Sequence, residues 1–130
     1  MNLDVKISRK EEGYFVVTLD GRLDSETYAF CEEKLTPILN AATRGLTFDM
    51  AGLSYISSMG LRVVIKTRKA IEGAGGKVLM VHLQPQIAKI FEIAAALPRY
   101  QVFASIREAD EYFTAMQEKT IEEQKNKPER

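Results

Sequence analysis

Residues 46–62 read Leu46-Thr47-Phe48-Asp49-Met50-Ala51-Gly52-Leu53-Ser54-Tyr55-Ile56-Ser57-Ser58-Met59-Gly60-Leu61-Arg62. The first five are short and largely apolar, which suits a central strand buried within a sheet. Ala51 to Ser57 reads as a loop. From Ser58 the positions Leu61, Val64, Ile65, Arg68 and Ile71 mark a helix, until Gly73-Ala74-Gly75-Gly76 stops it. Val78 to Val81 then makes a second buried strand. Strand, helix and strand in this order form a βαβ unit, which favours parallel pairing and a right-handed crossover. The centre of the chain therefore predicts an α/β domain.

Working outward, Leu3, Val5 and Ile7 alternate with polar neighbours, and Tyr14 to Leu19 is rich in aromatic and β-branched residues. With Lys10-Glu11-Glu12-Gly13 as turn material between them, these two runs predict a hairpin. Past Gly21, the residues Tyr28, Cys31, Leu35, Ile38, Leu39 and Ala42 predict a helix, with Asp24 or Ser25 as its cap and Pro37 bending or interrupting it. Pro85 opens a further helix with Ile87, Ile90, Phe91 and Ala94 on one face, closed by Pro98. Val102 and Phe103 suit a short edge strand. Ser105-Ile106-Arg107-Glu108 has the spacing of a capping box, ahead of a helix that buries Ala109, Tyr112, Phe113 and Met116. Beyond about Lys119 the apolar signal ends, so residues 1–118 are read as the domain and 119–130 as a charged, frayed tail.

Composition narrows the function. A chain of 130 residues with 45% hydrophobic content has the length and apolar surface for one core, so neither two domains nor wholesale disorder is expected. Eighteen Lys and Arg balance eighteen Asp and Glu, so no net field draws the chain to nucleic acid or an anionic membrane. The lone Cys31 has no intrachain disulfide partner, and no apolar run approaches the length of a membrane span. The N-terminus, MNLDVKISRK, lacks the apolar stretch of a secretory leader. A cytoplasmic protein is expected.

Ligand and partner sites in such sheets gather where strands end and helices begin, which directs attention to the loops around Gly21 to Thr27 and Gly52 to Gly60. In the second, the Ser57-Ser58 pair places hydroxyls at a helix N-terminus, where the first N–H groups lack partners and the macrodipole is positive. Such a hydroxyl is either a plain cap or a phosphoacceptor. On spacing alone both readings stand.

The pattern Asp49-x-x-x-Leu53-x-x-Ile56-Ser57-Ser58-x-Gly60-Leu61-Arg62, preceded by Gly21-x-Leu23-Asp24, resembles the signature of bacterial anti-sigma factor antagonists of the STAS family. The resemblance covers about residues 3–116 in element order. It implies a single STAS-like α/β domain with a small mixed sheet of four to five strands and about four helices. It also implies a switch: the unmodified protein binds an anti-sigma factor that is a serine kinase and frees the sigma factor, and the phosphorylated form lets go. Ser58 holds the family's phosphoacceptor position, with Ser57 the competing hydroxyl where many relatives carry an acidic residue. Asp24, Ser25, Thr27, Ser57, Ser58, Met59, Gly60 and Arg62 are the implied partner face, with Asp24 either accepting a hydrogen bond from the Ser58 hydroxyl or capping the first helix. A serine phosphatase is the implied reversing partner, and a homodimer is compatible with the resemblance. Related modules serve transporters and stress-signalling assemblies, which keeps a transporter or stress-complex subunit as the alternative.

Other chemical signals carry less. Gly73-Ala74-Gly75-Gly76-Lys77 ends a helix where a phosphate loop begins one, and no Ser or Thr follows the lysine. His82 is the only histidine, so no multi-histidine metal site is expected and no acid, base and nucleophile set is evident. No cofactor is expected, and a phosphotransfer enzyme using His82 ranks last.

Overall fold

The computed structural model describes residues 2–96 and 105–126. Four strands, β1 (Leu3–Glu11), β2 (Tyr14–Leu23), β3 (Gly45–Ile56) and β4 (Lys77–Val81), form one mixed sheet in the order β1-β2-β3-β4. β1 and β2 pair antiparallel as the expected hairpin, whereas β2 with β3 and β3 with β4 pair parallel. The helices are α1 (Tyr28–Leu35), α2 (Ser58–Gly73), α3 (Pro85–Ala96) and α4 (Ile106–Lys125). The expected edge strand at Val102 and Phe103 lies outside the described residues.

Val17 and Leu19 on β2 and Leu46, Phe48 and Met50 on β3 supply the inner face of the sheet and are almost wholly buried. Val63, Val64 and Ile71 of α2, Ile87 and Ile90 of α3 and Phe113 of α4 close over the same core. On the opposite face Tyr14 and Leu79 are exposed.

Four expectations are corrected here. Ala51 to Ile56 is strand, not loop: β3 runs on beside the end of β2, pairing Arg22 with Tyr55 and Leu23 with Ile56. Two register shifts between β2 and β3 space the buried residues as Met50, Leu53 and Ile56, which hides the period of two that marks a strand. Second, the N-cap position of α1 is Thr27, not Ser25, and its side chain makes no capping bond. Asp24 acts just before it, its Oδ1 taking the Glu26 and Thr27 N–H groups, and the helix ends at Leu35 before a 3-10 turn, Thr36–Ile38, where Pro37 interrupts it as expected. Third, α4 continues to Lys125, so residues 119–125 are helical where a frayed tail was expected, and Thr120 is buried. On that helix Tyr112 is exposed, contrary to the burial expected of it.

Cys31, on the inner side of α1, is fully buried. Burial, reinforced by the charge of Glu32, pushes its thiol up to about 12. The native chain is expected to resist a thiol reagent such as dithionitrobenzoate at about pH 8, because the reactive thiolate is absent there. Reaction should appear only with unfolding, and rapid labelling of the folded chain contradicts this placement. Because the thiol's ordinary value is 9.0, its contribution to stability is complete below that pH and is lost as pH rises towards 12.

Candidate functional site

The two loops singled out in the sequence converge at the C-terminal ends of β2 and β3. Ser57 N–H donates to the Leu23 carbonyl at 2.9 Å and Ser54 Oγ to the Gly21 carbonyl at 3.0 Å. The Arg22 guanidinium lies over the Tyr55 ring, 4.1 Å from its centroid. Gly21 has φ of +116°, and a Cβ there would run into the Asn2 carbonyl, so the motif glycine serves the chain's own backbone.

Ser57 and Ser58 divide the roles left open by spacing. Ser57 is the N-cap of α2: its Oγ accepts the Gly60 N–H at 3.2 Å, and the residue is only 3% exposed. Ser58, one position on, is half-buried at the surface. Its hydroxyl donates to Asp110 Oδ1 at 2.6 Å, and its N–H donates to the same oxygen at 2.8 Å. A carboxylate from α4 thus sits on the first turn of α2, where an anion is stabilised by free N–H groups and the helix dipole.

Asp24 is not the acceptor expected for Ser58. Its Oδ1 takes the N–H groups of Glu26 at 3.0 Å and Thr27 at 3.2 Å, and its Oδ2 pairs with Arg22 Nε at 3.5 Å. This is an Asx turn that aims the chain into α1. Thr27 is 1% exposed, with its Oγ1 donating to the Arg22 carbonyl at 2.8 Å and accepting the Asp24 N–H at 2.9 Å. Thr27, Ser57 and Gly60 are therefore interior residues and leave the expected partner face. Ser25 and Arg62 are exposed, and Asp24, Ser58 and Met59 are half-buried.

Gly60 shows why the motif needs a glycine. A Cβ at this position would stand 2.5 Å from the Leu23 carbonyl oxygen and 2.7 Å from Leu23 Cγ. The glycine lets α2 press against β2, and the approach is internal. Gly60→Ala is expected to cost about 1–3 kcal/mol, the range for overpacking a tight contact. Urea unfolding measures it, and an unchanged midpoint contradicts the contact.

Sequence reasoning missed α4 as part of this site. Asp110, Thr114 and Gln117 fall at i, i+4 and i+7, one helical face, and each meets the end of β3 or the start of α2. Tyr55 Oη and Thr114 Oγ1 share a hydrogen bond at 2.7 Å. Gln117 Oε1 accepts the Ile56 N–H at 3.0 Å, and its Nε2 donates to the Ile56 carbonyl at 2.8 Å and the Phe113 carbonyl at 3.1 Å. The i, i+4, i+7 spacing of polar residues was the available signal. His82, in the left-handed region at φ 59°, pairs with Asp49 Oδ1 at 3.1 Å beyond β4 and is exposed. The Asp49 carboxyl lies below its ordinary range, held there by the Ala51 N–H and by His82.

With this arrangement in view, comparison with known proteins is direct. The STAS domain model matches residues 6–109, and the chain belongs to the STAS domain family. The anti-sigma factor antagonist BtrV of Bordetella bronchiseptica is 32% identical over 100 residues, covering 77% of this chain and 85% of that protein. The anti-sigma-B factor antagonist of Staphylococcus aureus is 29% identical over 93 residues, covering 72% and 85%. Among solved structures, the anti-sigma factor antagonist SpoIIAA superposes in its unphosphorylated form with a TM-score of 0.64 at 18% identity, over 71% of this chain and 81% of that one. Its phosphorylated form, from Bacillus, gives 0.61 at 18% identity, over 70% and 83%. The structural likeness carries the fold, and the sequence relatives carry the class: they are anti-sigma factor antagonists. Among the described residues no helix is long and apolar enough to cross a membrane.

Proposed function

We propose that the chain is an anti-sigma factor antagonist switched by phosphorylation of Ser58. Unmodified, it binds an anti-sigma factor that is also its serine kinase and so releases the sigma factor. Phosphate on Ser58 ends that complex, and a serine phosphatase restores it. Ser25, Met59, Arg62 and Asp24, none of them buried, join Ser58 as the docking residues. The chain acts by binding rather than catalysis, in the cytoplasm and without a cofactor, and the domain extends through α4.

The observation that supports this reading is the contrast between neighbouring hydroxyls. Ser57 is buried and committed to its cap, whereas Ser58 stands half-buried at the mouth of α2. A phosphate there adds roughly 1.5 to 2 negative charges at the centre of the docking face. The names of the sequence relatives, and a structural neighbour solved with and without phosphate, agree with it. Incubation with the cognate kinase and ATP, followed by site mapping, is expected to place phosphate on Ser58. Stoichiometric modification elsewhere, with Ser58 empty, contradicts the assignment.

A further inference from the structure

We infer that Asp110 is a latch holding the first turns of α4 against α2, and that phosphate on Ser58 releases it. The inference rests on Ser58 as the modified residue and adds what that modification does to the fold.

One carboxylate oxygen, Asp110 Oδ1, accepts both protons that Ser58 can offer. Phosphoryl transfer from a nucleoside triphosphate forms an Oγ–P bond and breaks the bond between the β-phosphate bridging oxygen and the γ-phosphorus. The hydroxyl proton passes to solvent. Ser58 Oγ then has nothing to donate, and a dianionic group stands where the carboxylate was bound. The phosphate oxygens and Asp110 compete for the same Ser58 N–H at the start of α2, and two like charges in one site repel.

The phosphate is covalently fixed to α2, so Asp110 is the group that leaves. It sits at the outer end of the polar seam, one turn before Thr114 and two before Gln117. Gln117 is 2% exposed, and its amide is bonded to Ile56 in both directions, so the inner end of the seam stays closed. Opening is therefore confined to the first turns of α4, where Ile106, Arg107 and Glu111 line an open groove of about 580 Å³ beside Asp110 and Thr114. The modified protein presents a partner with an altered surface as well as an added charge.

Phosphoserine installed at position 58 during synthesis, without kinase or partner, tests the latch by itself. Amide hydrogen exchange is compared for peptides covering Ile106 to Thr114 and for the β3 strand. The phosphorylated chain is expected to exchange about tenfold faster or more in the α4 peptide, with β3 unchanged, because local opening is read region by region. Asp110→Asn supplies the control: its Oδ1 still accepts from unmodified Ser58, while its Nδ2 donates to a phosphate. Phosphorylated Asp110→Asn is expected to keep the slow exchange of the unmodified protein. Unchanged α4 exchange on phosphorylation overturns the latch, as does equal acceleration in the Asn variant or acceleration throughout the sheet. Kinase mapping decides separately whether Ser58 is the natural acceptor, so the two ideas fail by different measurements.

Discussion

Gln117→Ala is expected to lower the unfolding free energy by about 3 kcal/mol, since leaving a buried backbone group without its partner costs about 1–3 kcal/mol. Two such groups depend on this side chain, the N–H and the carbonyl of Ile56. They are the last of β3, beyond the reach of β4, whose pairing stops at Asp49. Truncation also removes the atoms that fill the junction between α4 and the strand end. Against a total stability of about 5–15 kcal/mol, the loss is large. Gln117→Met retains the volume without the hydrogen bonds and is expected to recover only the packing part. Chemical denaturation of both variants checks this, and wild-type stability in the Met variant contradicts a role for the amide.

How much of this was legible in the chain depends on where each signal resides. The βαβ unit at Leu46 to Val81 was readable because buried strands and an amphipathic helix carry their periods in their own residues. The full length of β3 was not, because its register shifts against β2 break the alternation after Met50. The Ser57-Ser58 pair was legible by its place at a helix start after a strand, but only the family resemblance singled out Ser58. Its partner was not: Asp110 lies 52 residues away on a helix whose polar residues look like an ordinary solvent face. For the same reason Asp24, on the loop after β2 and of the right charge, was an attractive acceptor, although its carboxylate is used by the turn that contains it. The helical stretch after Lys119 was hidden by charge, yet Phe113, Gln117 and Thr120 continue one buried stripe past the last large apolar residue of the expected helix.

Ser58→Asp is expected to weaken binding to the anti-sigma factor by about a hundredfold, because a like-charge or desolvated-charge mismatch at an interface costs several kcal/mol. The fold should survive, with a loss of at most about 1 kcal/mol, since a carboxylate at a helix N-terminus is favourable even though Asp110 is displaced. Ser58→Ala adds no charge to the docking face and is expected to bind without regulation. Surface plasmon resonance on the three proteins, beside their unfolding curves, separates a binding effect from a folding one. Wild-type affinity in the Asp variant removes charge as the switch, and failure of the Ala variant to bind makes the hydroxyl itself a required contact.

The most direct test is calorimetric titration of the anti-sigma factor with two preparations of the natural chain, one unmodified and one carrying phosphate on Ser58 alone. Tight binding by the first and none measurable by the second is the predicted result. Equal affinity for both would mean that an anion at the mouth of α2 does not control the complex.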